Sequence, residues 1–231
     1  MGPLEGVFNE AWGLYKAHWR HFFVLAIVVY AALLALNVLL VLTLGRFGAF
    51  VSAFVYLAGA FWLQGAIVKA VEDVRDGRAD LSVRQTLESV RPRFNRIAVA
   101  GLLAAFGITI GLILLVVPGL VLLTWWILLI PAIVLEDRGV TEAFGRSREL
   151  VSGNGWSVFG TIILTVALFI GIGIVLGLLL FPLEDWLGDL IGDVISNTIF
   201  APFAVLTWTL MYYRLRALKE PAPAVAAAAG S

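Results

Sequence analysis

Long stretches without charge dominate the chain, and each approaches the length of a membrane-spanning helix. Such a helix needs roughly 20 apolar residues. Residues 97–135 carry no charge, which is too long for one span, and Pro118-Gly119 in their middle is a turn signal. Pro202 predicts a kink in the last apolar stretch. The pattern predicts six spans, at residues 22–44, 47–71, 97–117, 120–135, 156–181 and 196–213.

Three shorter segments precede the odd-numbered spans, and each has an apolar helical stripe beside charged positions. These segments are residues 4–22, 81–97 and 140–151. Ser82 with Gln85 predicts a capping box at the start of the second segment. Gly153 and Asn154 predict the end of the third, because both residues tolerate a left-handed conformation. Such helices are too charged to cross a bilayer, so we expect them at the headgroup level.

The order of short helix, span, tight turn and span recurs three times along the chain. This recurrence predicts a pseudo-threefold repeat within a single membrane domain that covers residues 1–219. The alternative is that amphipathic cytoplasmic loops occur in any polytopic protein. Residues 220–231 are rich in Pro and Ala and predict a disordered tail. The predicted repeat units are approximately residues 4–71, 81–135 and 140–216.

Positive charge is distributed unevenly between the two sides that six spans define. All but one of the 16 Lys and Arg residues lie on the side of the termini, and only Arg46 lies opposite. Loops rich in Lys and Arg face the cytoplasm. We therefore predict a plasma-membrane location with both termini cytoplasmic. The opposite side instead carries four carboxylates, at Glu184, Asp185, Asp189 and Asp193.

The composition supports a membrane assignment and removes several kinds of chemistry. Hydrophobic residues make up 61% of the chain and charged residues 14%, with a mean hydropathy of +0.98. Soluble domains average about a quarter charged. The absence of cysteine excludes disulfides and thiolate chemistry, and the zero net charge gives no field that would attract nucleic acid. The predicted fold class is an all-α integral membrane protein with six transmembrane helices and three amphipathic cytoplasmic interfacial helices.

A family resemblance is carried by residues 130–160, IPAIVLEDRGVTEAFGRSRELVSGNGWSVFG. Here an acidic pair ends a span and is followed by Glu-Ala, Arg-Ser, Leu and Gly-Asn-x-Trp. Together with VFNEAWGLYKAHWRHFF at residues 7–23, this pattern resembles prokaryotic polytopic membrane proteins related to the membrane domain of glycerophosphoryl diester phosphodiesterases. The resemblance implies six spans and a membrane location. It implies no activity, because the phosphodiesterase chemistry of the fused relatives lies in a separate soluble domain.

Titratable residues form three candidate clusters. Glu136 and Asp137 follow span four, and an ion pair with a nearby arginine is favoured over acid–base catalysis, because paired carboxylates without a pocket are weak support for catalysis. His18 and His21 are too few to hold a metal by themselves. The carboxylates between residues 184 and 193 could hold a divalent cation, although a solvated surface helix is the favoured interpretation. The candidate partners for the acidic pair are Arg138, Arg146 and Arg148.

Arginines beside aromatic residues predict contacts with lipid headgroups. Each basic group near an anionic leaflet adds about 1 kcal/mol of attraction. The alternative is that positive-inside topology alone accounts for these arginines. The candidate headgroup-binding residues are Arg84, Arg91, Arg93, Arg96, Arg146 and Arg148.

Polar and small residues inside the predicted spans are candidates for helix contacts. The polar ones predict either interhelical hydrogen bonds or a transport pathway, and they are Asn37, Gln64 and Asn197. Glycines four residues apart allow two helix backbones to approach closely. We expect them to pack spans three and five together or to form a dimer face. The glycine pairs are Gly107 with Gly111 and Gly173 with Gly177.

These patterns favour a non-enzymatic membrane protein that engages lipid headgroups or a partner through its basic interfacial helices. The alternative is a transporter or flippase of a lipid or small amphiphile. An intramembrane enzyme has the least support, because the sequence shows no nucleophile–base pair and no metal-ligand set. We expect no cofactor and no nucleic acid. The expected partners are membrane lipids, with a protein partner or a second copy of the chain left open.

Overall fold

A computed structural model describes residues 4–75, 80–181, 188, 192 and 194–220. All regular structure in those residues is helical. A 3₁₀ turn at Arg91–Arg93 and a π-helix at Ser196–Phe200 interrupt the α-helices. The α-helices are α1 (Val7–Arg75), α2 (Val83–Val90), α3 (Phe94–Leu114), α4 (Val116–Trp126), α5 (Leu129–Glu136), α6 (Val140–Val151), α7 (Gly155–Leu180) and α8 (Ala201–Lys219).

Helix α1 is interrupted at two residues, His18 and Gly45, whose backbone angles are not helical. Gly45 has φ +56° and ψ −131°, a conformation that a residue without a Cβ adopts at little cost. The two breaks divide α1 into an N-terminal segment (residues 7–17), an outgoing arm (19–44) and a return arm (46–75).

The outgoing and return arms pack against each other in opposite directions. Asn37 donates a hydrogen bond to the Ser52 hydroxyl at 3.0 Å, and the rings of Tyr30 and Tyr56 lie 6.1 Å apart. Residues later in the return arm therefore contact residues earlier in the outgoing arm. The two arms are therefore an antiparallel helical hairpin that turns at Gly45.

Helices α3 and α4 form a second tight hairpin, as the uncharged stretch predicted. The turn lies at Leu115, which is extended (φ −155°, ψ 131°), and not at Pro118-Gly119. Pro118 lies in the first turn of α4, where a missing N–H removes no intrahelical bond. Gly119 faces Gly111 of α3: a Cβ on Gly111 would lie 2.9 Å from the Cα of Gly119. The turn is thus shifted because proline opens a helix more readily than it ends one.

The span predicted at residues 120–135 is interrupted where α4 gives way to α5. At this break the Ser147 hydroxyl accepts a hydrogen bond from the Leu128 amide at 3.2 Å and donates one to the Trp125 carbonyl at 2.6 Å. The Ser147 side chain of α6 therefore supplies hydrogen-bond partners to backbone groups that lose their partners within the helix at the break.

Each short amphipathic helix packs along the end of a long apolar helix. The N-terminal segment lies along α8: the Tyr15 hydroxyl donates to the carbonyl of Ile199 at 2.8 Å, and Glu10 pairs with Arg214 at 2.8 Å. The carbonyl of Ile199 lies in the π-helix that ends just before Ala201 and Pro202. Helix α6 lies along α5 in the same way, through the Ser147 contacts.

Helix α2 repeats this arrangement against the return arm. The Leu81 amide donates to Asp73 at 3.1 Å, and Val90 at the other end of α2 lies beside Gly65. The predicted capping box is present: the Ser82 hydroxyl accepts from the Gln85 amide, and the Gln85 side chain accepts from the Ser82 amide at 2.9 Å. This box starts α2 where the sequence placed it.

The hydrophobic core lies at the end of the bundle that carries the short helices, which we call the packed end. Its buried residues come from the short helices and from the stretches packed on them, including Ala11, Phe22, Ile67, Val90, Ile97, Ile133, Leu150 and Leu210. At the other end large apolar side chains are exposed, including Leu42 at 80%, Ile113 at 77% and Phe181 at 87%. Exposed apolar surface on this scale indicates a solvent other than water.

The candidate packing glycines divide into two groups. A Cβ on Gly107 would meet the ring of Trp126 at 2.7 Å, so both Gly107 and Gly111 pack α3 against α4. A Cβ on Gly173 or Gly177 would meet no described atom within 4 Å. The prediction that these glycines join spans three and five is wrong for Gly107 and Gly111, because the neighbour along the chain already occupies the α3 face they line.

We predict that Gly111→Ala lowers the thermal stability of the purified protein, whereas Gly173→Ala does not. The added methyl at residue 111 meets backbone atoms that cannot rotate away, and overpacking of this kind costs about 1–3 kcal/mol. Both substitutions add the same helix propensity, so the pair isolates the contact. Equal unfolding temperatures for the two variants in detergent would contradict the observed close approach of α3 and α4.

Candidate functional site

A buried carboxylate at the end of α5 is the centre of the candidate site. The Glu136 side chain is 8% exposed, and that of Arg146 is 7% exposed. The Arg146 Nε donates to both carboxylate oxygens of Glu136 at 2.9 Å. Arg138 donates to the same carboxylate at 3.0 Å, and the Tyr212 hydroxyl donates to it from α8. Four donated hydrogen bonds therefore hold one carboxylate.

Local sequence explains why α6 returns to this carboxylate. Asp137 takes the left-handed conformation (φ +55°) directly after α5 and ends that helix. The Glu142 carboxylate then accepts from the Gly139 amide at 3.3 Å, which caps the start of α6. The chain reverses within three residues. Because α6 runs back along α5, Arg146 comes to face Glu136.

Arg146 also joins the end of α8 to this cluster. It pairs with Glu149 at 3.1 Å and with Glu220, which lies just after α8. Burial alone would lower the pKa of Arg146, but its bonds to Glu220, Glu136 and Glu149 raise that pKa above its usual value. Hydrogen bonds from Arg146 and Arg216 lower the pKa of Glu220. Both groups stay charged, and the cluster ties α5, α6 and α8 together; we call it the junction.

A second ion pair anchors the start of α3 beside the junction. Asp137 accepts from Arg93 at 2.9 Å and from Arg96 at 3.0 Å, and Arg96 also donates to the Asp137 carbonyl at 2.9 Å. The hydrogen bond from Arg93 is the largest cause that lowers the pKa of Asp137. The expected ion pair at Glu136 and Asp137 is therefore present.

The structure changes which predicted arginines can reach a ligand. Arg146 is enclosed by protein carboxylates, so its assignment as a headgroup-binding residue is corrected: helix α6 turns it inwards to Glu136. Arg93 and Arg96 are held by Asp137, and Arg84 pairs with Glu88 at 2.7 Å. Among the described residues, neither Arg91 nor Arg148 has a carboxylate partner, and both are exposed.

Cations stacked on aromatic rings form a feature of the packed end that the sequence analysis missed. The Arg148 guanidinium lies 4.4 Å from the Trp125 ring centroid, which explains why it turns away from the acidic pair. Lys16 lies 5.4 Å from the Trp12 ring, and the two are one helical turn apart. That spacing could have revealed the contact. Two further pairs are Arg20 with Trp19 at 5.7 Å and Arg75 with Tyr213 at 4.1 Å.

The three polar candidates, Asn37, Gln64 and Asn197, do not gather into one site. Asn37 makes an interhelical bond to Ser52, as one of the two interpretations expected. Gln64 lies 12 residues beyond Ser52 on the same arm, which corresponds to about 18 Å along the helix axis, and its neighbours Leu63, Gly65 and Ala66 are buried. Asn197 lies on another element, within the π-helix before α8.

Neither candidate metal cluster gains support in the described residues. The His18 ring nitrogen Nδ1 lies 3.3 Å from the Leu14 carbonyl, within its own helix. In the part of the chain that the structure describes, no three His, Asp or Glu side chains group as metal ligands would. The cluster formed by Glu184, Asp185, Asp189 and Asp193 lies outside the described residues.

An open groove of about 660 Å³ lies beside α6, between α4 and the start of α7. The polar groups that line it are few, and the Trp125 ring that carries Arg148 forms part of its wall. We call it the α4–α7 groove. It is lined by Val117, Leu120, Val121, Thr124, Trp125, Gly153, Asn154, Gly155, Trp156, Ser157 and Phe159.

The fold and its exposed apolar surface define a helical membrane protein. Within the residues that the structure describes, four helical stretches are long and apolar enough to cross a bilayer, namely Val7–Arg75, Val83–Leu114, Val116–Glu136 and Gly155–Leu180. The chain belongs to the family described as Domain of unknown function (DUF7847), whose profile matches residues 47–228. That range includes the junction and the groove but not the N-terminal segment. No curated protein and no solved structure matches the chain, and the resemblance to the phosphodiesterase membrane domain stays a prediction.

We predict that Arg146→Gln destabilises the protein by about 3–5 kcal/mol, because it leaves Glu136 as a buried charge without its main partner. Arg148→Gln is the matched control two residues away. It removes an exposed cation and one ring contact, at a cost of about 0.5–1 kcal/mol. Thermal or denaturant unfolding in one detergent compares the two. If the two variants lose the same free energy of unfolding, the junction contributes no more to stability than an exposed charge does.

Proposed function

We propose that the chain forms six spans in the plasma membrane, with the packed end and both termini at the cytoplasmic face. The hairpins at Gly45 and Leu115 supply four antiparallel helices, and α7 and α8 supply two more. Arg46 is the Lys or Arg residue that the predicted topology separates from all the others. It lies at the turn opposite the packed end. The positive-inside rule supports a cytoplasmic location for the packed end.

The repeat is part of the same proposal. In each unit a short helix lies along the end of an even-numbered span and leads into the next odd-numbered one. The N-terminal segment lies on α8, α2 lies on the return arm and α6 lies on α5. The first of these contacts joins the two ends of the chain, so the three units close into a ring.

We further propose that the packed end binds anionic lipid headgroups and that the protein acts as a membrane-organising or scaffold module, not as an enzyme. The observation that supports this most is the set of exposed cations stacked on aromatic rings. Trp12 and Trp19 are 53% and 49% exposed and carry Lys16 and Arg20. Neither cation has a carboxylate partner among the described residues.

This pairing fits the chemistry of the headgroup layer. Tryptophan is enriched at membrane–water interfaces, where its ring is apolar and its N–H is polar. A cation above such a ring is held near the apolar boundary while its charge still faces outwards. Each such charge near an anionic leaflet adds about 1 kcal/mol of attraction. An inward-facing ion pair such as Arg146 with Glu136 cannot act in this way.

The alternative, a transporter or flippase, receives less support from the arrangement of the helices. A pathway needs polar groups that face one another across the bilayer. Asn37 and Gln64 lie about 18 Å apart along one hairpin, and the surroundings of Gly65, next to Gln64, are the apolar side chains of Val90, Ile97 and Val134. Nothing in this region favours a polar path.

We expect the double variant Lys16→Gln/Arg20→Gln to reduce the preference for phosphatidylglycerol over phosphatidylcholine. The loss should be about fivefold for each charge removed, from about 1 kcal/mol per charge. The preference is measured by mass spectrometry of lipids bound to the purified protein after exposure to a mixture of the two.

The matched control is Arg84→Gln/Arg138→Gln, which removes the same net charge from residues that pair with Glu88 and Glu136. We expect the control to keep most of the preference. If wild type shows no preference, headgroup binding is wrong. If both double variants lose the preference equally, net charge accounts for it, and the stacked cations have no special part.

A further inference from the structure

We propose that the α4–α7 groove holds one acyl chain of an anionic phospholipid, with the phosphate of that lipid against Arg148. This inference rests on the proposed function and adds a particular site to it. None of its residues belongs to the stacked pairs Trp12–Lys16 and Trp19–Arg20, so the two ideas can fail separately.

The shape and lining of the groove fit an apolar chain. Val117, Leu120 and Val121 form one wall and Phe159 belongs to the other. A volume of about 660 Å³ lies within the range of about 300–1,000 Å³ that is typical of sites for small molecules. Both walls belong to stretches that are apolar enough to cross a bilayer. The molecule that meets this groove in a membrane is therefore a lipid.

The charge at the rim fits an anionic headgroup. Arg148 is exposed, has no carboxylate partner among the described residues and stacks on Trp125, which lines the groove. Stacking holds the planar guanidinium in one orientation while its N–H groups stay available, and these groups match phosphate oxygens in pairs. Trp156 is 87% exposed at the same rim, in the position of an interfacial tryptophan.

The start of α7 adds to this attraction. Asn154 precedes the helix and makes no capping bond with its side chain. The first amides of a 26-residue helix therefore lie at the groove with partial positive charge. In a zwitterionic lipid such as phosphatidylcholine the positive charge beside the phosphate would offset the attraction of Arg148, and a free phosphate would leave the apolar walls uncovered. An anionic phospholipid satisfies both parts of the site.

The test uses the full chain in detergent, titrated with phosphatidylglycerol or phosphatidylcholine and followed by native mass spectrometry. We expect wild type to bind one phosphatidylglycerol more tightly than phosphatidylcholine. Arg148→Gln should weaken phosphatidylglycerol about fivefold, which is about 1 kcal/mol. Val121→Trp should fill the groove and weaken both lipids. Thermal unfolding of each variant checks that it is folded.

Two matched controls define the outcomes. Arg46→Gln removes an exposed cation outside the groove, and Val175→Trp adds the same ring to an exposed position on α7 beyond the groove. Both should bind like wild type. If Val121→Trp binds like Val175→Trp, or Arg148→Gln like Arg46→Gln, the inference is overturned while a wild-type preference for phosphatidylglycerol still supports the proposed function. If wild type has no such preference, both fail.

Discussion

The ion pair between Glu136 and Arg146 is the interaction on which the packed end depends. Both side chains are almost fully buried, and a buried charge that loses its partner is costly. The pair therefore commits α6 to lie along α5. Tyr212 and Glu220 extend the same cluster to α8 and its end. The neighbouring helices α5 and α6 and the distant end of α8 are thus held at one point, and the groove beside α6 is a consequence of where that helix lies.

The second constraint is the distribution of apolar surface. The packed end buries its apolar residues between helices, whereas the opposite end of the hairpins and most of α7 leave theirs exposed. Water would disfavour that second surface strongly, and lipid would not. Association in lipid depends on close packing and polar bonds between helices. Such contacts are present here as the Gly111–Gly119 approach and the Asn37–Ser52 bond.

Local signals in the sequence were accurate where one residue type has one physical role. The capping box at Ser82 and the bounds of α6 were predicted, and Gly153 does have a positive φ of +84°. The inward direction of Arg146 was not predictable, because it depends on Glu136 and Glu220 meeting α6 from two other helices. The groove was also hidden, since the periodicity of a single helix does not show which neighbour leaves a face open. The predicted turn at Pro118 lies three residues after the observed turn at Leu115. The prediction treated Pro118 as the end of a helix, whereas Pro118 lies in the first turn of α4.

The most direct test of the account is the side of the membrane on which the packed end lies. The chain has no cysteine, so single cysteines can be introduced at Thr141 on α6 and at Arg46 next to the opposite turn, both exposed. Cells that express each variant are treated with a membrane-impermeant maleimide before and after permeabilisation. The account predicts that Arg46→Cys is labelled in intact cells and Thr141→Cys only after permeabilisation. Labelling of Thr141→Cys in intact cells would contradict it.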